Sequence, residues 1–159
     1  MERLDIICVG SIKEKFLREL FAEYEKRLSR FCKLTVTELK EVRIGDNPSQ
    51  SEIDAVLESE ADMILSKVPQ GAYIIAMCIE GKMQSSEEFA KTLEVGFAKS
   101  GKTAIIIGSS HGLAQKVKTA ADIRFSMSPM TFPHQLARCI IAEQVYRAYK
   151  IRNKESYHK

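Results

Sequence analysis

The chain alternates regularly between short apolar runs and longer amphipathic segments, and this alternation constrains its fold more than any other feature. The apolar runs occupy residues 4–9, 34–39, 72–79, 103–107 and 123–127. Between them apolar residues recur at helical spacing, and a last helix is predicted from Pro133 to about Ile151. Alternating strands and helices predict an α/β fold, with a parallel sheet and helices on both faces. The 159 residues contain no linker, so we expect a single domain, 1–159.

Two capping-box patterns mark the starts of two of these helices. Ser49 is followed three residues later by Glu52, and Ser85 is followed by Glu88. In such pairs the serine side chain accepts a hydrogen bond from the backbone N–H of the glutamate, and the glutamate side chain accepts one from the backbone N–H of the serine. The polar residues 43–50 form the one long segment with loop character.

The composition argues against a membrane, metal or disulfide protein. The apolar runs fall far short of the roughly 20 residues that a membrane span needs, and the N-terminal run is expected to be a strand and not a signal peptide. The cysteines contain no C-x-x-C pair and are expected to be reduced core residues. We therefore expect a cytoplasmic protein without a metal site. The four cysteines are Cys8, Cys32, Cys78 and Cys139.

Positive charge is concentrated near the C-terminus. The whole chain carries a formal charge of +3, yet six basic and only two acidic residues lie from Arg138 onward. Such a segment is typical either of a solvated helix end, where cations suit the helix dipole, or of contact with a polyanion. The sequence leaves both interpretations open.

Ligand-binding residues of an open parallel sheet are expected beyond the carboxyl ends of its strands. Three such ends are unusual, at residues 79–82, 108–112 and 126–134. Neither a Walker A loop nor a G-x-G-x-x-G motif is present, which favours a nucleoside-like ligand held by apolar contacts and backbone groups. Residues 126–132 suit that role, although they are also compatible with a connector whose Met and Phe side chains fill the core.

A competing function comes from residues 108–112, which fit the G-x-S-x-G pattern of serine hydrolases. Ser110, Asp122 and His134 would follow one another in the order of a catalytic triad. The short spacing argues against it, because triads normally draw on distant strands of a larger domain. The glycines also suit a tight turn between a strand and a helix.

Several segments resemble one known family in their order along the chain. They are Tyr24–Leu28, Gly81–Lys82, Ile107–Leu113, Met130–Gln135, Glu143–Ala148 and the terminal Tyr157–Lys159. Together they resemble the ribosomal RNA large-subunit methyltransferase H family over nearly the whole chain. The resemblance implies a SPOUT fold with a C-terminal trefoil knot, a homodimer, and S-adenosylmethionine held in the knot. The implied activity is N3-methylation of a pseudouridine in 23S ribosomal RNA within the assembled ribosome.

The resemblance also implies which residues contact the cofactor. The sequence departs from the family at Ser109, where a second glycine is usual, and at Met77, where leucine is usual. Serine could restrict a backbone that needs a positive φ, whereas methionine for leucine conserves volume. The predicted cofactor residues are Met77, Gly108, Met127, Ser128, Pro129, Met130, Thr131 and Phe132.

Three residues are candidates for catalysis and three for RNA binding. His134 could orient the acceptor or take its proton, or it could hydrogen-bond its own helix turn. Tyr157 could stack on a base, and with His158 could act in the site of the partner subunit. Phosphate contacts are predicted for Arg152, Lys154 and Lys159, whereas Arg138 and Arg147 could also pair across the dimer. The remaining alternative is a non-catalytic RNA-binding module in which Ser109 blocks the cofactor.

Overall fold

The structure, a computed structural model, describes residues 1–159 and contains five strands that alternate with five helices. Every predicted strand and helix is present, with bounds shifted by one to four residues. The elements are β1 (Arg3–Val9), α1 (Lys15–Leu28), β2 (Lys33–Leu39), α2 (Gln50–Lys67), β3 (Tyr73–Met83), α3 (Ser86–Ser100), β4 (Lys102–Ile107), α4 (Gln115–Ala120), β5 (Ile123–Ser126) and α5 (His134–Arg152).

The five strands form one sheet in the order β2-β1-β4-β3-β5, and every neighbouring pair is parallel. All their carboxyl ends therefore meet at one edge, where ligands of such sheets bind. The central strands β1 and β4 are almost completely buried, which explains why most of their residues are apolar.

Helices cover both faces of the sheet, as predicted. Helices α1, α3 and α5 pack on one face, where the larger core includes Leu4, Ile6 and Cys8 of β1. Helices α2 and α4 pack on the other, where Ile7 and Val9 point into a smaller core. The period-two alternation of a strand sends neighbouring side chains to opposite faces, so one apolar strand supplies both cores.

Both capping motifs lie where the sequence placed them. Ser85 accepts from the backbone N–H of Glu88, whose side chain accepts from the Ser85 N–H, a complete capping box. Ser49 accepts from the Glu52 N–H, but the return hydrogen bond is absent. Pro133 caps the start of α5, where the proline ring costs no helical hydrogen bond.

Strand β3 differs from its prediction. The sequence predicts a strand over residues 72–79 with an unusual end at residues 79–82, but the strand continues to Met83. Met77 and Lys82 both pair with Phe125 of β5, so residues 78–81 form an excursion between two paired segments. Gly81 permits this path, since a Cβ there would lie 2.7 Å from the Phe125 carbonyl carbon. The trefoil knot stays a prediction, because strand order alone does not define it.

The cysteines are unpaired, and Cys8, Cys32 and Cys139 are buried in the core as expected, whereas Cys78 is only half-buried. Burial raises the pKa of the Cys8 thiol to about 12, which keeps it protonated and unreactive. No helix is both long and apolar enough to cross a bilayer.

Candidate active site

A cavity of about 600 Å³ lies beyond the carboxyl ends of β3, β4 and β5. Its volume suits a nucleoside-sized ligand. Its walls are the β3 excursion, the loop after β4 and the loop that leads from β5 into α5. Pro129 does not line it, but the other seven predicted cofactor residues do. They are Met77, Gly108, Met127, Ser128, Met130, Thr131 and Phe132.

Gly108 stands where the loop after β4 turns back on itself. A Cβ at this position would lie 2.3 Å from the Gly112 carbonyl oxygen and 2.8 Å from the Leu113 side chain. Such distances are far inside van der Waals contact, so only glycine fits without moving the loop. Glycine at position 108 therefore allows the tight turn with which the loop after β4 forms this wall of the cavity.

Ser109 does not carry the strain that its departure from the family pattern suggested. Lys154 is the one non-glycine residue with positive φ, so the Ser109 backbone is ordinary. Its hydroxyl donates to Glu60 Oε1 at 3.1 Å, and Glu60 Oε2 accepts from the Val42 N–H at 3.5 Å. Glu60 is only 2% exposed, and this burial raises the pKa of its carboxyl. One buried carboxyl therefore joins the loop after β4 to the loop after β2.

The loop from β5 to α5 is held by its own hydrogen bonds. The Ser126 hydroxyl donates to the Ser128 carbonyl at 3.1 Å, and the Met130 N–H donates to the Ser128 hydroxyl at 3.0 Å. At its root Phe125 stacks on Phe89 with ring centroids 4.9 Å apart. The alternative of a connector that merely fills the core is wrong for Met130, which is 70% exposed. The loop presents a preformed wall to the cavity.

The sequence analysis named residues 79–82 as an unusual strand end, but it did not predict the β3 excursion or assign its residues to the cofactor site. Cys78, Ile79 and Glu80 all line the cavity, and Glu80 forms an ion pair with Lys118 of α4. Sequence periodicity predicted only that a strand ends here. The one signal in the sequence was Gly81, since a glycine within a strand often marks an irregularity.

His134 lies at the border of the cavity, with its ring beside Gly10 at the end of β1. Its Nε2 would be 3.6 Å from a Cβ placed on Gly10. The ring takes part in no hydrogen bond within the chain, so the alternative that it caps its own helix turn is wrong. The imidazole is therefore free for a ligand.

Tyr157 and His158 do not reach the cavity. The Tyr157 hydroxyl donates to Glu143 at 3.2 Å, and its ring meets Tyr146 edge-on. His158 bonds through Nε2 to Glu87 at 2.6 Å and contacts Arg147 through Nδ1 at 3.3 Å. Burial and hydrogen bonding raise the pKa of Tyr157 to about 12, so this phenol is a donor and not a base.

Most C-terminal cations are neutralised inside the chain. Arg152 donates two hydrogen bonds to Glu2, at 2.7 and 2.9 Å, and Tyr149 donates to the same carboxylate at 2.8 Å. Arg138 is fully buried, where it pairs with Glu38 at 2.6 Å and donates to the Gly10 carbonyl at 2.9 Å. Lys154 and Lys159 differ from these arginines, because both lysines are exposed and neither has a carboxylate partner.

The hydrolase alternative fails on geometry. Asp122 accepts from the Ile74 N–H at 2.8 Å and pairs with Lys99 at 2.6 Å, so it lies at the amino ends of β3 and β5. Ser110 and His134 lie at the opposite edge of the sheet. A triad requires direct hydrogen bonds between its members, and this arrangement prevents them.

Comparison with known proteins agrees with the geometry. Residues 2–158 match a family model described as "Predicted SPOUT methyltransferase". The chain is 45% identical over 157 residues to the ribosomal RNA large subunit methyltransferase H of Clostridium novyi (strain NT), covering 98% of this chain and 99% of that protein. The protein of the same name from Clostridioides difficile (strain 630) is also 45% identical over 157 residues, with the same coverage.

More distant proteins extend the comparison. The ribosomal RNA large subunit methyltransferase H of Streptococcus uberis is 42% identical over 158 residues, covering 99% of both chains. The crystal structure of the SpoU methyltransferase AviRb from Streptomyces viridochromogenes, in complex with AdoMet, aligns with a TM-score of 0.47 and 12% identity. It covers 93% of this chain and 58% of that one, and a likeness at this level carries no argument here.

Proposed function

The chain belongs to the SPOUT methyltransferase family, and on that premise we propose that it methylates N3 of a pseudouridine in 23S ribosomal RNA with S-adenosylmethionine. Relatives that align over their full length are named as methyltransferases of large-subunit ribosomal RNA. The proposal includes the assembled ribosome as substrate, a homodimer and a cytoplasmic location.

The observation that carries the proposal is the cavity at the carboxyl ends of the strands. Its lining combines apolar side chains with the backbone of two tight loops, which suits an adenosine that must be held without a phosphate-binding motif. Gly108 lines the cavity and allows the tight turn of the loop after β4 that forms this wall. Met77 and Phe132 supply apolar surface for its adenine. These residues fit S-adenosylmethionine, and we assign to them its binding.

When bound, S-adenosylmethionine supplies a methyl group that its sulfonium already activates. The residues of the chain then have to orient the acceptor nitrogen and manage its proton. His134 is suited to this task because its ring borders the cavity and has no partner in the chain. A neutral imidazole there would accept the N3 proton or orient the base by a hydrogen bond.

Tyr157 and His158 enter the proposal through the dimer. Neither reaches the cavity of its own subunit, so a direct role in the reaction requires the cavity of the partner. Tyr157 would stack on a base and His158 would hold the acceptor, with the phenol protonated throughout. Phe16 and Leu20 lie one turn apart on α1 and are 65% and 41% exposed. This apolar pair suits burial between subunits.

Methyl transfer to ribosomes tests the proposal directly. Ribosomes from cells that lack the activity are incubated with the protein and methyl-labelled S-adenosylmethionine. The modified nucleoside is then identified by mass spectrometry after nuclease digestion. We expect one N3-methylpseudouridine per 23S ribosomal RNA, with free 23S RNA a far poorer substrate than ribosomes. Label on another nucleoside would refute the N3 assignment, and equal transfer to free RNA would refute the requirement for assembly.

A further inference from the structure

A second cavity, of about 620 Å³, adjoins the first at the same edge of the sheet. It lies beyond the carboxyl ends of β1 and β2, the two strands that take no part in the first cavity. Most of the residues that line it are polar or charged, whereas the cofactor cavity is lined by a mixture of apolar and polar residues. Its walls are Gly10, Ser11, Lys13, Ser110, His111 and residues 38–44.

The two cavities share a wall at one place. Ser110 and His111 line both of them. Gly10 lines the second, and a Cβ there would be 3.6 Å from both His134 Nε2 and Glu41 Oε2. The φ of Gly10 is +89°, which other residues rarely adopt. Because Gly10 has no side chain, no side chain at position 10 separates the His134 imidazole in the first cavity from the Glu41 carboxylate in the second.

The second cavity carries the free positive charge of this edge. Lys13, Lys40 and Arg43 are exposed, and no carboxylate lies within 4.0 Å of any of them. The carboxylate of Glu38 is already neutralised by Arg138. Glu41 remains as an unpaired acceptor, which suits the N–H groups of a uracil-type base.

We infer that the second cavity binds the acceptor nucleotide of the RNA. Its base reaches past Gly10 toward His134, and its flanking phosphates meet Lys13, Lys40 and Arg43. This inference rests on the proposed function and deepens it, since methyl transfer requires acceptor and donor in adjoining spaces. The RNA contact is thereby assigned to the loop after β2, in addition to the C-terminal lysines.

The test compares two double variants, one that removes two cations from the second cavity and one that removes two cations from elsewhere on the surface. One double variant is Lys40→Ala with Arg43→Ala. The matched control is Lys67→Ala with Lys91→Ala, which removes the same charge from exposed positions outside both cavities. For both variants and the wild type, steady-state methylation of ribosomes gives KM and kcat at fixed salt, and calorimetry gives the Kd for S-adenosylmethionine.

The Lys40/Arg43 variant should raise the KM for ribosomes about tenfold and flatten its salt dependence, because each lost phosphate contact lowers the salt slope by about 1. Its Kd for S-adenosylmethionine should stay unchanged, and the control should match the wild type. A KM equal to that of the control would overturn the inference while leaving the proposed function intact. A weakened cofactor Kd would reassign the cavity to the cofactor. If the wild type itself transfers no methyl group, both proposals fall.

Discussion

The C-terminal segment and the loops at the carboxyl edge of the sheet use their charges in opposite ways. From Arg138 onward the chain is rich in cations, but four of them pair with carboxylates of the same chain: Arg138, Arg147, Lys150 and Arg152. In the sequence the loop after β2 is notable only for its loop character, yet its cations Lys40 and Arg43 are unpaired. Net charge along a sequence therefore does not indicate where charge is available to a ligand.

The largest effect is expected where the edge loops have no spare room. Gly108→Val places a branched side chain against the Gly112 carbonyl, so the loop must move and the cofactor cavity closes. We expect the affinity for S-adenosylmethionine to fall on the order of 100-fold, as overpacking of this kind costs about 1–3 kcal/mol. Calorimetry measures it. Gly45→Val is the control, because no atom lies within 4 Å of a Cβ there. Equal affinities in the two variants would contradict the role of Gly108.

Deleting Glu155–Lys159 tests whether the C-terminal region takes part in the reaction. The deletion removes Tyr157 and His158 but no residue of the cofactor cavity. We expect methylation to be lost while the Kd for S-adenosylmethionine changes less than about twofold. Tyr157→Phe separates the hydroxyl from the ring, since it keeps the contact with Tyr146. Unchanged turnover of the deletion variant would exclude the split site between subunits.

A third comparison separates paired from free cations within the C-terminal segment itself. Arg152→Ala removes the ion pair with Glu2 and should cost about 1–2 kcal/mol, which lowers the Tm by roughly 2–8 °C. The salt dependence of ribosome binding should stay the same, because this guanidinium is already neutralised. Lys154→Ala should do the reverse, with an unchanged Tm and a salt slope lower by about 1. Thermal melts give the Tm, and titrations of ribosomes at several salt concentrations give the salt slope. A lower salt slope in Arg152→Ala would contradict the distinction between paired and free cations.

The smallest effect is expected at Glu60, which joins the two edge loops. Burial raises the pKa of this carboxyl in the folded state, so the folded protein binds the proton more tightly than the unfolded chain. The stabilising effect of protonation is present at low pH and is lost as the pH rises through the folded-state pKa. The free energy of unfolding of the wild type relative to Glu60→Gln should therefore decline with rising pH.

Urea unfolding at several pH values measures this difference. Ser109→Ala is the control, because it loses the hydroxyl donor but keeps the titrating carboxyl and hence a pH dependence. A wild-type advantage over Glu60→Gln that grows with pH would show that Glu60 is stabilised as the anion.

Local patterns predicted the elements well because the elements depend on local physics. Short apolar runs predicted all five strands, and the pair of Ser85 and Glu88 predicted the start of α3. The features that the sequence did not predict mostly involve contacts between distant residues. The hydrogen bond from Ser109 to Glu60 joins positions 49 apart, and the pair of Arg138 with Glu38 joins positions 100 apart. No periodicity records such partners.

The same reasoning explains which parts of the site were predicted. The family resemblance predicted seven of the residues that line the cofactor cavity. These residues lie close together because parallel strands end at the same edge of the sheet. The excursion at residues 78–81 was missed because its register depends on how β5 pairs with both halves of β3. The folded-back position of Tyr157 and His158 was missed because it depends on the surfaces of α3 and α5.

The contact of Glu2 with Tyr149 and Arg152 also sets an order of events during synthesis. The partners are 147 and 150 positions apart. At about 5–20 residues per second, roughly 8–30 s pass between the addition of Glu2 and that of Arg152. Strand β1 likewise waits for β4 before it has both neighbours. The contacts of Glu2 therefore form only after residue 152 has been added, and β1 lacks its second neighbouring strand until residues 102–107 have been made.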